Sequence, residues 1–128
     1  MNCNEAGTII MKRDMDLIRE ILFAVEKHDA AGGWITVEIE GHSQNEINYH
    51  MVLLKDAGLM DAAVMGSQQD LHVQPIRLTW AGHEFIDAAR SGKVWEGAKA
   101  FALKTTGTLT LEGIKLAIPH VMKGLMGG

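Results

Sequence analysis

The chain has 128 residues, 47% of them hydrophobic, and its 12 Lys and Arg against 16 Asp and Glu give a formal net charge of −4. This length and hydrophobic content are enough for one domain with a buried core that needs no disulfide or metal ion. The single cysteine, Cys3, excludes an internal disulfide. No apolar stretch approaches the roughly 20 residues of a membrane span, and no signal peptide is evident, so a cytoplasmic protein is expected.

The first predicted element is a helix that begins after Asp14 and continues to about His28. Asp14 belongs to the side-chain types that cap helix N-termini. A stripe at helical spacing is formed by Leu17, Ile18, Ile21, Leu22 and Val25. Residues 30–33 end this helix, and residues 34–40 then alternate between apolar and polar side chains, which predicts a β-strand. Its apolar face carries Ile35, Val37 and Ile39.

The second helix is predicted between Ser43 and Gly58. Ser43 and Glu46 fit the capping box, in which a hydroxyl and a carboxylate each satisfy a backbone N–H at the helix start. Gly58 can adopt the left-handed conformation that ends a helix, and Leu59 then folds back on Leu54. The face predicted to be buried carries Ile47, Met51, Leu54 and Ala57.

Two short apolar runs, residues 59–65 and 71–78, are separated by a polar turn and predict a β-hairpin. Pro75 interrupts the alternation of the second run, so we expect a bulge or break there. Thr79 is placed to cap a third helix that ends near Ser91. The residues predicted to be buried on that helix are Ala81, Phe85, Ala88 and Ala89.

The C-terminal third predicts two further helices. One runs from Val94 to Lys104, with Val94, Ala98 and Phe101 facing inward. The other starts near Thr110, and Pro119 is expected to kink or divide it. Its apolar stripe is Leu111, Ile114, Ile118, Val121 and Leu125. The candidate residues of a dimer or partner interface are Ile118, Met122 and Leu125. Packing of this segment against its own domain is the alternative.

The predicted order is helix, strand, helix, hairpin and helix, with little room for another helix before Ser43. This order predicts an α+β winged-helix-like fold, with a degenerate helix-turn-helix and a β-hairpin wing, followed by a C-terminal helical segment. We expect an N-terminal extension over residues 1–11 and the winged-helix-like domain over residues 12–92. A C-terminal helical extension over residues 93–128 is expected to pack on the same domain.

A resemblance to a known family rests on three stretches: MKRDMDLIREILFAVEKH from Met11, YHMVLLKDAGLM, and RLTWAGHEFIDAARSGKVWEGAK. The chain after Met11 resembles small bacterial and prophage proteins classified as a domain of unknown function. The resemblance implies a winged-helix-like fold, and it carries over neither an established activity nor a catalytic residue. The second stretch also resembles the recognition helix of winged-helix repressors. Residues 1–10 depart from the opening of the family.

Charge bears on whether such a fold binds DNA. Duplex binding depends on Lys and Arg at phosphates, but the second helix offers only Lys55 against Glu46 and Asp56, and residues 62–74 contain no Lys or Arg. The candidate DNA contacts are Asn45, Asn48 and Lys55, with Gln44 beside them, and Lys12 and Arg13 at the entrance to the first helix. A solvated polar helix face is the alternative, and it is favoured.

No catalytic motif of the P-loop, GxSxG or CxxC type is present. His83 and Asp87 lie one helical turn apart, but a third metal ligand is missing, so we expect neither a metal nor another cofactor, and no small-molecule substrate. His50 is predicted to be partly buried with its hydrogen bonds satisfied. The tryptophans are predicted to fill gaps between elements; they are Trp34, Trp80 and Trp95.

We therefore expect a non-enzymatic module that acts through protein interaction or self-association, as a homodimer or with another protein. A DNA-binding regulator of bacterial or prophage origin is the competing prediction. The acidic balance favours the first function and the topology favours the second.

Overall fold

The computed structural model describes residues 12–28, 35–67 and 70–125. The described elements, in chain order, are α1 (Met15–Lys27), α2 (Gln44–Asp56), β1 (Met60–Met65), β2 (His72–Leu78), α3 (Trp80–Ala88), α4 (Gly92–Thr106) and α5 (Leu111–Leu125). The fold is therefore α+β, with two strands paired as an antiparallel hairpin. Within these residues no helix has the length and apolar character needed to span a membrane.

Helix α1 forms where the sequence predicts it. The Asp14 carboxylate accepts hydrogen bonds from the amides of Asp16 and Leu17 at 3.0 and 3.2 Å, which satisfies two of the N–H groups that a helix start leaves unpaired. All five residues of the predicted stripe are buried. The predicted cap and the predicted buried stripe are both confirmed. The cap fixes where α1 begins, and the stripe fixes which face of α1 packs against the core.

Helix α2 has a half-formed capping box and a complete C-terminal cap. The Ser43 hydroxyl accepts from the Glu46 amide at 3.1 Å, but the Glu46 carboxylate turns to the His42 ring, 2.9 Å away. At the other end Gly58 has φ +78°, and the Leu59 amide donates to the Leu54 carbonyl at 3.0 Å. This bond closes the Schellman motif that the sequence predicts.

The hairpin and its irregularity are also confirmed. Asp61 pairs with Arg77 and Ala62 pairs with Pro75, so Ile76 is the extra residue of a bulge. The bulge forms there because Pro75 has no N–H to donate to the ladder. Thr79 then caps α3 by accepting from the Gly82 amide at 3.0 Å.

The strand predicted over residues 34–40 is wrong for the part that the structure describes. Residues 35–39 lie outside both strands of the sheet, although Ile35 and Val37 are buried and Thr36 and Glu38 are exposed. Alternation therefore reports burial on one side, and a strand also needs a partner for its backbone groups. A side chain supplies part of this pairing, since the Gln74 amide donates to the Ile35 carbonyl at 3.2 Å. Trp34 lies outside the described residues.

Helices α4 and α5 pack against each other, with the start of α4 near the end of α5. Gly97 makes this approach close, because a Cβ added there would lie 2.8 Å from Cγ1 of Val121. Of the two outcomes expected at Pro119, the division of the last segment is wrong, since α5 continues from Leu111 to Leu125, and the kink stays a prediction. Pro119 is exposed, so the carbonyl that loses its helical partner can bond to water while the opposite face remains packed.

Contacts to α1 join α3 and α4 to the rest of the fold. The Arg19 guanidinium donates to the backbone carbonyls of Ala89 and Arg90, at 2.8 and 3.0 Å. Arg90 in turn holds the Glu26 carboxylate with two hydrogen bonds, at 3.2 and 2.7 Å. Buried residues of all five helices and both strands belong to one hydrophobic cluster. The division at residue 92 stays a prediction.

Two alanines predicted in the core are exposed. Ala57 is the C-cap that follows α2, and Ala81 is the second residue of α3. Ile86, which the predicted stripe omits, is fully buried on α3. Small side chains at helix ends are therefore weaker indicators of the core than the bulky residues between them.

Candidate interaction surfaces

The polar face of α2 is the surface on which the sequence places base contacts. Gln44, Asn45 and Lys55 are exposed there. Asn48 is buried: its amide nitrogen donates to the Leu71 carbonyl at 3.0 Å, and its oxygen accepts from Gln44 at 2.8 Å. The expectation that Asn48 is presented to DNA is wrong, because the side chain is used to hold the hairpin on α2.

The other candidate DNA contacts do not lie together on one surface. Asn45 and Lys55 lie ten residues apart, which separates them by about 15 Å along the helix axis. Lys12 and Arg13 are exposed before α1. Arg13 lines an apolar cleft of about 260 Å³ together with Asp56 and Leu53, so an acidic side chain lies at the same cleft.

The hairpin adds no unpaired cation in its described part. Arg77 forms an ion pair with Asp61 at 3.0 Å, and the ring of the exposed His72 lies 3.2 Å from the Asp70 carboxylate. Phosphate binding gains affinity from Lys and Arg that are available to replace counterions. Paired cations on a chain with net charge −4 offer little of that gain.

The C-terminal end of α5 presents apolar side chains. Ile118, a predicted interface residue, is buried against the protein's own core, so its assignment to an exposed interface is wrong. Met122 and Leu125 are 40% and 55% exposed. We call these two residues the α5 end patch. Leu125 follows Ile118 by seven residues, which places both on one line of the helix.

Trp80 is the most exposed large apolar side chain in the described part of the chain, at 81%. The prediction that it fills a gap between elements is therefore wrong. At 100° per residue, Trp80 lies opposite the buried face of α3, which carries Gly82, Phe85, Ile86 and Ala89. The sequence contained this phase information, and residue type alone was misleading.

Trp95, in contrast, has the predicted packing role. Its ring is buried edge-to-face against Phe85, with centroids 6.2 Å apart, and its indole N–H donates to the Asp16 carboxylate at 2.7 Å. Lys99 donates to the same carboxylate at 2.7 and 3.0 Å. Although partial burial opposes it, these hydrogen bonds hold the pKa of Asp16 below its ordinary value of 3.8. This site attaches α4 to α1.

Two arrangements of side chains bear on metal binding. His83 and Asp87 have no third ligand beside them among the described residues, and Asp87 accepts a hydrogen bond from Arg90. Asp14, His42 and Glu46 do form a group, with one potential ligand atom from each within 4.8 Å of the others. This group was not predicted, because Asp14 is distant in sequence from His42 and Glu46 and meets them only where α1 packs on α2.

Known proteins place the chain in a family without an assigned activity. Residues 12–108 match the family described as "Hypothetical protein (DUF2513)", a match that ends before α5. An uncharacterized protein of Haemophilus influenzae is 35% identical over 117 residues, covering 91% of this chain and 99% of that protein. No solved structure matches. The resemblance noted from the sequence is confirmed, and the chain belongs to the DUF2513 family.

Proposed function

We propose that the protein is a non-enzymatic module that binds protein, in the first place a second copy of itself, through the α5 end patch. The observation that supports this proposal is the apolar stripe of α5, which is buried in the middle of the helix and exposed at its C-terminal end. Ile114 and Ile118 are buried, whereas Leu125, on the same line of the helix, is 55% exposed. An apolar stripe left uncovered at its end gains free energy when a second surface removes it from water.

The size of this patch sets the expected strength of association. Burying one Leu or Met side chain completely is worth about 1.5–3 kcal/mol. Met122 and Leu125 are already partly covered, and association loses translational and rotational freedom, so only part of that gain remains. We therefore propose a weak dimer that forms with increasing protein concentration.

A matched pair of substitutions on α5 tests the proposal. Leu125→Asp places a charge in the α5 end patch, whereas Leu116→Asp places one at a 76% exposed position on the opposite side of the same helix. Light scattering at high protein concentration should find the wild type and Leu116→Asp as dimers and Leu125→Asp as a monomer. Wild-type protein that is monomeric at every concentration would contradict the proposal.

The finer description of the fold belongs to the same proposal. We propose that α1, α2, the hairpin and α3 form a winged-helix-like unit, in which the hairpin is the wing and residues 35–40 stand where a further helix would be. The order of elements and the Schellman turn that leads from α2 directly into β1 support this. An experimental structure superimposed on winged-helix proteins would test it.

DNA binding is the second candidate function, and the order of elements favours it. The exposed Asn45 and Lys55 on α2, with Lys12 and Arg13, are the residues that would contact bases or phosphates. Fluorescence anisotropy with genomic fragments at low salt should show no specific complex if protein binding is the main function. Specific binding that the double substitution Asn45→Ala and Lys55→Ala abolishes would favour DNA instead.

A further inference from the structure

A polar cluster lies where the start of α1 meets the start of α2. It consists of Asp14, the N-cap of α1, with His42 and Glu46 at the entrance and in the first turn of α2. All three side chains are partly buried, and one nitrogen or carboxylate oxygen from each lies within 4.8 Å of the others. We call these three residues the α1–α2 cluster.

A buried histidine fixes the backbone on both sides of this cluster. The Asp14 amide donates to Nε2 of His50 at 2.8 Å, and Nδ1 of the same ring donates to the Glu46 carbonyl at 2.9 Å. His50 is fully buried, and both of its ring nitrogens are used. The main chains that carry Asp14 and Glu46 are therefore held together by one ring, which organises the cluster before any ligand arrives.

Both carboxylates of the cluster have hydrogen-bond partners, but neither partner is a Lys or Arg side chain. Within the described residues, neither the Asp14 nor the Glu46 carboxylate forms an ion pair with Lys or Arg. Asp14 uses one oxygen to cap α1. Glu46 leaves its place in the capping box and lies 2.9 Å from His42. Besides capping α1, the group therefore brings together two carboxylates and an imidazole, which are donor types that bind metal ions.

We propose that Asp14, His42 and Glu46 bind a divalent transition-metal ion, for which Zn²⁺ is the best match. Imidazole nitrogen and carboxylate oxygen are both Zn²⁺ ligands, and three protein ligands leave a position for water. Zn²⁺ binds them at about 2.0–2.2 Å, which puts tetrahedral ligand atoms about 3.4 Å apart. Side-chain movements of about 1 Å would therefore bring the ligand atoms to the separation that Zn²⁺ needs.

Such an ion would clamp the start of α1 to the start of α2. Metal that binds the folded state and not the unfolded state stabilises the fold by mass action. The proposal is independent of the α5 end patch, because the two sites share no residue. Either can be wrong without affecting the other.

The test uses the full chain without an affinity tag, treated with chelator and dialysed, and titrated with Zn²⁺ alone in a calorimeter. Wild type should bind one Zn²⁺ per chain, and the midpoint of thermal unfolding should rise with Zn²⁺ concentration. His42→Ala, Asp14→Asn and Glu46→Gln should each weaken binding at least tenfold. Asparagine at position 14 can still cap α1, so its effect reports the ligand and not the helix.

Two control variants remove other sources of binding. His72→Ala deletes a histidine that lies beside a carboxylate but belongs to no group of three described ligands, and Cys3→Ser deletes the single thiol. Both should bind Zn²⁺ as the wild type does. Absence of saturable binding by the wild type, or binding that His42→Ala leaves unchanged, would overturn the proposal.

Discussion

The polar face of α2 and the apolar stripe of α5 depart from their sequence patterns in opposite directions. On α2, the polar residue Asn48 is buried and holds the hairpin, beside His50, for which burial and satisfied hydrogen bonds were predicted and are confirmed. On α5, Leu125 belongs to the buried stripe by position and is exposed. A polar side chain therefore does not identify a surface that reads DNA, and an apolar one does not identify the core. What covers a helix decides both cases.

We expect the largest difference in the free energy of unfolding between substitutions of two tryptophans, one buried and one exposed. Trp95→Ala should lower the free energy of unfolding by about 3–5 kcal/mol, because it removes a buried ring and leaves a cavity between α4 and the rest of the core. Trp80→Ala, at an 81% exposed position, should change it by less than about 0.5 kcal/mol. Urea denaturation measures both, and equal effects would contradict the packing described.

A pair of histidines gives the next largest effect. His50→Ala should cost about 2–3 kcal/mol, since it leaves the Asp14 amide and the Glu46 carbonyl without their ring partner in a buried position. The control is His72→Ala, which removes an exposed ring on the hairpin and should be nearly neutral. An unfolding midpoint that His50→Ala leaves unchanged would show that the ring does not join α1 to α2.

Two asparagines on α2 compare a structural with a presented side chain. Asn48→Ala should lower the free energy of unfolding by about 1–2 kcal/mol, because the Leu71 carbonyl loses its donor. Asn45→Ala should have almost no effect on stability, since Asn45 is exposed. Thermal unfolding of the two variants is the measurement. A larger loss of stability for Asn45→Ala than for Asn48→Ala would contradict the burial of Asn48.

The smallest effect concerns pH and Asp16. Because its pKa is lowered in the folded state, the stability that Asp16 contributes is present above the ordinary value of 3.8 and is lost as pH falls through the folded value. The Asp16 side chain is 55% exposed, so screening keeps the contribution below about 1 kcal/mol. Asp16→Asn should be less stable than wild type at pH 7, and the difference should shrink as pH falls below 3.8. A constant difference would assign the effect to packing.

Local signals in the sequence predicted most of the fold. The cap at Asp14, the Schellman turn at Gly58, the bulge at Pro75 and the cap at Thr79 are each determined by the chemistry of a few neighbouring residues. The strand prediction for residues 35–39 was wrong because a strand needs a hydrogen-bonded partner, which no local pattern specifies.

The candidate sites were less predictable for the same reason. Burial of Asn48 depends on the hairpin that packs on α2, and α5, which carries Ile118, packs on α4, so in both cases another element matters. The α1–α2 cluster joins residues 14 and 42, whose meeting depends on how two helices pack. Only the exposure of Trp80 could have been read from helical phase along α3.

The most direct test of the central claim is the sedimentation of tag-free wild-type protein over a wide range of concentrations. If the α5 end patch mediates self-association, the weight-average mass should rise from that of the 14.0 kDa chain towards twice that value, and Leu125→Asp should remain at the lower mass throughout. Wild-type protein that stays at the mass of one chain up to the highest concentration would contradict the claim.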